Sequence, residues 1–274
     1  MPELSEFLPM LALILAIGAI AGIIAGLLGV GGGIVLVPAF FFAFEGLGYS
    51  TEGLMQICLA TSLATIVVTS VRSVMGHHAK GAVDWGILRT WGPGIAIGAA
   101  LGVVAASGLR NEVLMGIFGV LGLSVGLYMA FGRAEWRLGD AMPGTVGTAV
   151  SSPILGFLSV LMGIGGGSFG VPMMTLYAVP IHRAVATAAG FGVIIAVPAV
   201  IGFLLTGSDV ANRPPLTVGQ VNLVAFVAVI AMTLITTPLG VKLAHAMDPK
   251  PLKRVFAVFI MIMALNMLRK ALGL

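Results

Sequence analysis

The chain has 274 residues, of which 59% are hydrophobic and only 9% are charged. Because a soluble domain carries about 25% charged residues, this composition excludes a soluble globular protein and predicts an integral membrane protein. The net charge of +4 does not indicate nucleic acid as a partner, since the basic residues are scattered and form no basic face.

Ten apolar segments follow one another along the chain. They cover residues 7–28, 34–48, 54–76, 86–107, 112–131, 145–163, 168–181, 184–206, 219–245 and 252–272. Eight of them have about the 20 residues that a helix needs to cross a bilayer, whereas the second and seventh have only about 15. We therefore predict an all-α polytopic membrane protein with eight to ten crossings.

Each of the two short segments follows a run of glycines. Gly29-Val-Gly-Gly-Gly33 leads to Pro38, and Gly163-Ile-Gly-Gly-Gly167 leads to Pro172 at the same spacing. Further matches follow in the same order, Ala60-Thr61 with Ala186-Thr187, Gly102 with Gly240, and Leu114 with Leu252. The chain is therefore interpreted as a duplication, with halves 1–131 and 145–274 joined by a linker at 132–144.

An odd number of segments in each half turns the second half upside down relative to the first. The loop charges agree with this arrangement, because basic residues concentrate on the cytoplasmic side of membrane proteins. With the first segment starting outside, the inner loops hold Lys80, Arg133, Arg137, Arg183, Lys242, Lys250, Lys253 and Arg254. The outer side keeps only Arg110, Arg213, Arg269 and Lys270. We expect two inverted five-segment repeats, each with a broken or re-entrant helix.

The glycine runs predict a binding site. Backbone inside a membrane leaves helical geometry only where protein or a water-filled cavity satisfies its polar groups. A helix that begins after such a break presents free N–H groups and about half a positive charge, which suits an anion. The predicted donors are the backbones of Gly31, Gly32, Gly33, Gly165, Gly166 and Gly167. The alternative is close helix packing, which we expect for the isolated glycines Gly18, Gly22, Gly94, Gly98 and Gly102.

Polar side chains near the glycine runs extend this predicted site. The hydroxyl groups expected to bind the anion are those of Thr61, Ser62, Ser168 and Thr187. The alternative is that such hydroxyls only bond their own or a neighbouring helix. Three basic side chains, Arg72, His182 and Arg183, are candidates for an anion funnel or a gate. For them the alternative is an ordinary anchor at the membrane surface.

The residue types that are missing from the apolar segments exclude several functions. Apart from Glu45 and Glu112, near segment ends, no carboxylate lies inside an apolar run. Cation pumps and transporters usually carry buried Asp or Glu, so a cation transporter is disfavoured. The His-Glu-x-x-His and Gly-x-Ser-x-Gly motifs are also absent. We predict a protein that is not an enzyme and needs neither a cofactor nor a metal.

The doubled motif resembles the TauE/SafE family of sulfite and organosulfonate exporters. The resemblance rests on Gly-x-Gly-Gly-Gly with its later proline in both halves, on Ala-Thr-Ser-Leu at 60–63 and on Gly-Ala-Val-Asp-Trp at 81–85. It implies a multi-pass carrier in the bacterial plasma membrane for small sulfur-containing anions such as sulfite or sulfoacetate. The second half departs from the first because Ala188 stands where the first half has Ser62.

The residues and the resemblance together predict an exporter that works by alternating access around a site at the membrane midplane. The expected partners are the small anion and the lipid bilayer, with a homodimer as a further expectation. Three alternatives stay open at this point: an anion channel, a carrier of another small organic anion, and a membrane scaffold without transport of its own.

Overall fold

The computed structural model describes residues 4–28, 33–49, 52–133, 136–207, 212–246 and 249–274. Within these ranges the chain forms ten α-helices and one two-stranded antiparallel hairpin. The first half supplies α1 (Leu4–Leu28), α2 (Gly33–Gly46), α3 (Leu54–His78), α4 (Trp85–Gly108) and α5 (Asn111–Phe131). The second half supplies α6 (Thr145–Met162), α7 (Gly167–Leu176), α8 (Ile181–Leu205), the strands β1 (Thr217–Val218) and β2 (Val221–Asn222), α9 (Leu223–Ala246) and α10 (Pro249–Ala271).

These helices confirm the all-α membrane architecture. Seven of the described helices are long and apolar enough to cross a bilayer. The helices α2 and α7 have only 14 and 10 residues, as the short apolar segments predicted. The helix α10 is as long as a spanning helix, with 23 residues, but carries basic residues at both of its ends. The number of full crossings stays a prediction.

Two boundaries differ from the prediction by four residues or more. The seventh segment was expected to run to residue 181, but α7 ends at Leu176, and Ala178 then adopts the left-handed conformation with φ of 63°. Pro180 follows as the cap of α8, so the apolar run is split by a turn. The ninth segment was expected to begin at 219, but the hairpin of β1 and β2 occupies its start and α9 begins only at Leu223.

The main helix pairs follow a pattern that relates the two halves. Helix α1 packs on α9, α4 packs on α6, α3 packs on α8, and α5 packs on α10. When the first five helices are exchanged for the last five, the pair α1–α9 becomes α6–α4. The pairs α3–α8 and α5–α10 each become themselves. This is the pattern that a twofold relation between the halves requires, and it supports the duplication. Inversion across the membrane stays a prediction.

Glycines bring the paired helices close together and show their directions. Gly18 of α1 lies against Val229 of α9, and Gly22 lies against Thr233 further along the same helix. The two helices therefore run parallel. Helices α4 and α6 are also parallel, whereas contacts of Gly119 with Leu268 and of Gly126 with Met261 make α5 and α10 antiparallel. Each direction agrees with segments that alternate along the chain.

The packing role predicted for the isolated glycines is confirmed. A Cβ atom added at Gly98 would collide with the carbonyl oxygen of Pro153, and one at Gly102 would lie 2.9 Å from Cβ of Val160. The close approach of α4 and α6 thus depends on hydrogen atoms in place of side chains. Gly108, at the end of α4, faces open space instead.

We expect Gly98→Ala to lower the free energy of unfolding by about 1–3 kcal/mol, because the added methyl group must push α6 away from α4. The measurement is thermal unfolding of the purified protein in detergent. Gly108→Ala, in the same helix, is the matched control and should unfold like the wild type. Equal stability of the two variants would contradict this account of the α4–α6 contact.

Candidate functional site

Gly33, at the end of the first glycine run, lies against the second run near the middle of α3. A Cβ atom added at Gly33 would lie 3.0 Å from the carbonyl oxygen of Gly163 and 3.2 Å from Cα of Ile164. Ile66, halfway along α3, contacts Gly33 and Gly165 with its two end methyl groups. We call Gly33 together with residues 163–167 the glycine junction. Gly31 and Gly32, the other predicted donors of the first run, lie outside the described residues.

The second run is shaped by a glycine in a conformation that other residues rarely adopt. Gly163 ends α6 with φ of 63°, in the left-handed region, and its N–H donates to the carbonyl of Val160 at 2.9 Å. An added Cβ there would also lie 2.7 Å from a methyl carbon of Val37 in α2. The residue must therefore be glycine both for its backbone angle and for its close neighbours.

Helix α8 covers the junction on the side opposite α3. A Cβ atom added at Gly166 would lie 2.6 Å from the carbonyl oxygen of Ala188 and 3.0 Å from the backbone nitrogen of Gly192. Gly192 in turn faces the hydroxyl of Ser70 on α3. The junction is thus enclosed between α3 of the first half and α8 of the second, which are equivalent helices of the duplication.

The two short helices leave the junction towards opposite ends of the bundle. The last turn of α2 reaches a cavity of about 670 Å³ whose lining includes Glu45, Gln56 and Arg110, but no residue of the junction. The carbonyl of Leu176, at the end of α7, instead accepts a hydrogen bond from Leu138 of the linker. The positive N-terminal ends of both short helices therefore point to the same place, the junction.

A run of unused donors begins α7. The amide of Gly170 donates to the carbonyl of Gly166 at 2.8 Å, which is the first bond of the helix. The backbone amides of residues 165–169 donate to no acceptor among the described residues. Gly165 and Gly167 are only partly buried, so their amides can be reached. Such consecutive N–H groups at a helix start are the usual protein site for an oxyanion.

Ser168 adds a side-chain donor to this run. The residue is only 5% exposed, and its hydroxyl takes part in none of the hydrogen bonds found among the described residues. The hydroxyl oxygen keeps some accessible surface, unlike Oγ of Ser159 on α6, which is buried without a hydrogen-bond partner. Ser168 directly follows Gly165, Gly166 and Gly167 in the chain, and the binding of an anion by these four residues stays a prediction.

Ser62 is also close to the junction, but its hydroxyl is already engaged. Its Oγ donates to the carbonyl oxygen of Gly163 at 2.7 Å, and both groups are buried. A hydroxyl has one proton to donate, so in this conformation Ser62 stabilises the glycine break and has no proton left for a ligand.

Thr61 and Thr187 form equivalent joints between the halves. Oγ1 of Thr61, on α3, accepts the backbone N–H of Asn222 at 2.9 Å. Oγ1 of Thr187, on α8, accepts the backbone N–H of Asp84, also at 2.9 Å. Both threonines are fully buried. Each threonine therefore binds the residue that precedes a helix of the other half. Contact of the two hydroxyls with an anion stays a prediction.

The residues held by these threonines are helix caps. Asp84 accepts the amide of Ile87 at 3.1 Å and so caps α4. Asn222 accepts the amide of Ala225 at 2.8 Å and so caps α9. An Asp or Asn just before an apolar run is a recognised start signal for a helix. That signal was present at both positions, but the threonine across the molecule was not deducible from it.

The three basic candidates lie outside the glycine junction. Arg72 and His182 are exposed on α3 and α8. Arg183, in the first turn of α8, forms an ion pair in which its Nε lies 3.2 Å from Oδ2 of Asp84. A role of these side chains as a funnel or a gate stays a prediction.

Comparisons with known proteins identify the family of the chain. The family model described as sulfite exporter TauE/SafE matches residues 14–267. A probable membrane transporter protein of Haemophilus influenzae is 29% identical over 94% of this chain and 98% of its own length. One of Methanocaldococcus jannaschii is 26% identical over 96% of this chain and 97% of its own length. The probable membrane transporter protein YunE of Bacillus subtilis is 32% identical over 64% of this chain and 71% of its own length. No solved structure gives a significant match.

We expect Ser62→Ala to lower the free energy of unfolding by about 1–3 kcal/mol, because the buried carbonyl of Gly163 loses its hydroxyl donor. Ser159→Ala is the matched control, since it removes a buried hydroxyl that has no partner, and it should leave stability unchanged or slightly raised. Thermal unfolding in detergent measures both. A larger loss in Ser159→Ala than in Ser62→Ala would reverse these assignments.

Proposed function

Because the chain belongs to the sulfite exporter TauE/SafE family, we propose that it exports small sulfur-containing anions, such as sulfite or sulfoacetate, across the bacterial plasma membrane. The coarser statement does not depend on this proposal, since the chain is a multi-pass membrane transporter of that family. The proposal concerns the ligand, its binding site and the transport mechanism.

The observation that carries the proposal is the run of unused donors at the start of α7. Five consecutive amides, from residue 165 to 169, and the hydroxyl of Ser168 lie together without acceptors among the described residues. A sulfite or sulfonate group offers three oxygen atoms and accepts several hydrogen bonds at once. Neutral N–H and O–H donors recognise these oxygens without permanently neutralising the charge. A site of this kind holds an anion weakly enough to release it.

The arrangement of the halves supports alternating access as the mechanism. The junction lies between α3 and α8, and the two short helices lead from it to opposite ends of the bundle. Rocking of one half against the other opens the junction first to one end and then to the other. An inside-negative potential favours the outward step by about 2.3 kcal/mol per elementary negative charge per 100 mV. Export then needs no second ion.

The test is flux of radiolabelled sulfite, sulfoacetate and sulfate into proteoliposomes, with and without an imposed voltage. We expect saturable flux of a sulfur-containing anion by the wild type. Ser168→Ala should raise the half-saturation concentration about tenfold, because a hydrogen bond to a charged group is lost. Ser124→Ala is the matched control, since that exposed hydroxyl only bonds the carbonyl of Val120 in its own helix.

Two results would contradict the proposal. Flux that rises without saturation, together with single-channel currents, would identify an anion channel instead of a carrier. Absence of flux for every small anion under either condition, with the protein monodisperse, would remove the transport proposal for this class of ligand. An equal effect of Ser168→Ala and Ser124→Ala would leave the carrier in place but move its site away from α7.

A further inference from the structure

The two threonine joints have the same backbone geometry but different charge. At one joint the cap is Asn222, which is fully buried and whose Nδ2 donates to the carbonyl of Pro215. At the other the cap is Asp84, whose side chain is 26% exposed and paired with Arg183. An asparagine caps a helix as well as an aspartate does. The negative charge of Asp84 is therefore not needed for the cap.

The ion pair with Asp84 engages only part of the N–H donors of the Arg183 guanidinium. Its side chain is 55% exposed, and the carboxylate of Asp84 is the only acceptor that its guanidinium meets among the described residues. A guanidinium has five N–H donors in a planar fork that fits carboxylate and other oxyanions. Since Arg183 lies in the first turn of α8, the positive helix end adds to its attraction for an anion.

Asp84 is also isolated among basic residues. In the sequence from residue 53 to residue 111 it is the only acidic side chain, whereas Arg72, Lys80 and Arg89 lie on the flanking stretches. One carboxylate therefore offsets part of a positive surface at the end of the bundle where α4 begins. An oxyanion that reaches this surface meets Asp84 as its competitor for Arg183.

We infer that Asp84 is a positioning residue that occupies Arg183 as an internal counter-anion, and that the transported oxyanion displaces it on loading. The inference rests on the proposed function and adds a capture point to it, about one and a half turns of α8 from the Ala188 contact with Gly166. When the transported oxyanion replaces the Asp84 carboxylate at Arg183, the Asp84–Arg183 ion pair breaks. This ion pair joins α4 of the first half to α8 of the second. Loading thereby loosens a contact between the halves.

The charge difference between the two joints also gives the carrier a direction of transport. The position in α3 that corresponds to Arg183 is Ile57, which is buried and has no charge. The equivalent position in α3 therefore offers no charge that could capture an anion. In the orientation predicted from the loop charges, the Asp84 end faces the cytoplasm, so anions would be collected inside and released outside, as export requires.

The experiment measures the half-saturation concentration for sulfite from each face, in right-side-out and inverted membrane vesicles. Asp84→Asn keeps the helix cap, as Asn222 does at the other joint, and frees Arg183. We expect it to lower the half-saturation concentration two- to fivefold at the Asp84 face only, which is about what an exposed ion pair contributes. Arg183→Gln should raise it at the same face, and Asp84→Asn should then have no further effect.

The chain offers a closely matched control. Arg110 and Glu112 form an exposed ion pair at the opposite end of α4, also at 3.2 Å. Glu112→Gln removes the same charge as Asp84→Asn and should change the half-saturation concentration at neither face. Thermal unfolding checks that each variant keeps the wild-type fold.

Three outcomes would overturn the inference. An Asp84→Asn variant that saturates like the wild type at both faces would make Asp84 only a cap. The same decrease at both faces, or in Glu112→Gln, would reduce the effect to general electrostatics. A wild type that neither carries sulfite nor binds it in calorimetric titration would remove the proposed function as well, and that result is distinct from the first two.

Discussion

The contact between the two glycine breaks is the constraint on which the rest of the molecule depends. Backbone that leaves helical geometry inside a membrane must be enclosed by protein, because lipid offers its polar groups no partners. The chain meets this requirement by placing Gly33 against the carbonyl of Gly163, with α3 packed on both and α8 packed on Gly166. The hydroxyl of Ser62 satisfies that carbonyl from one side. In the proposed mechanism an anion supplies acceptors to the amides at the start of α7.

The same helices that enclose the breaks also join the halves. Thr61 on α3 and Thr187 on α8 each hold a cap from the other half, so the walls of the candidate site and the joints are the same two helices. Movement of one half against the other therefore changes the contacts at the glycine junction and at the helix caps at the same time. Charge is present at only one of the two joints. The two joints are therefore chemically unequal.

Much of the fold was predictable because it follows from local sequence. The apolar segments predicted the ten helices, and the glycine runs marked the two short ones. The spacing of small residues predicted the close packing of α1 and α4. The hairpin of β1 and β2 was missed, since four residues of strand leave no periodic pattern. The candidate site was predictable in its residue types but not in its bonds. That Ser62 donates to Gly163, and that Arg183 pairs with Asp84, depends on segments about 100 residues apart along the chain.

The threonine joints have a consequence for how the protein is made. The hydroxyl of Thr61 binds Asn222, which is synthesised 161 residues later. The hydroxyl of Thr187 binds the amide of Asp84, which is synthesised 103 residues earlier. During synthesis the first five helices are therefore inserted with buried polar groups that have no final partner. Helix α4 carries its cap at Asp84 long before α8 emerges to receive it. The two joints can form only after parts of both halves have been synthesised, so assembly of the transporter is completed late.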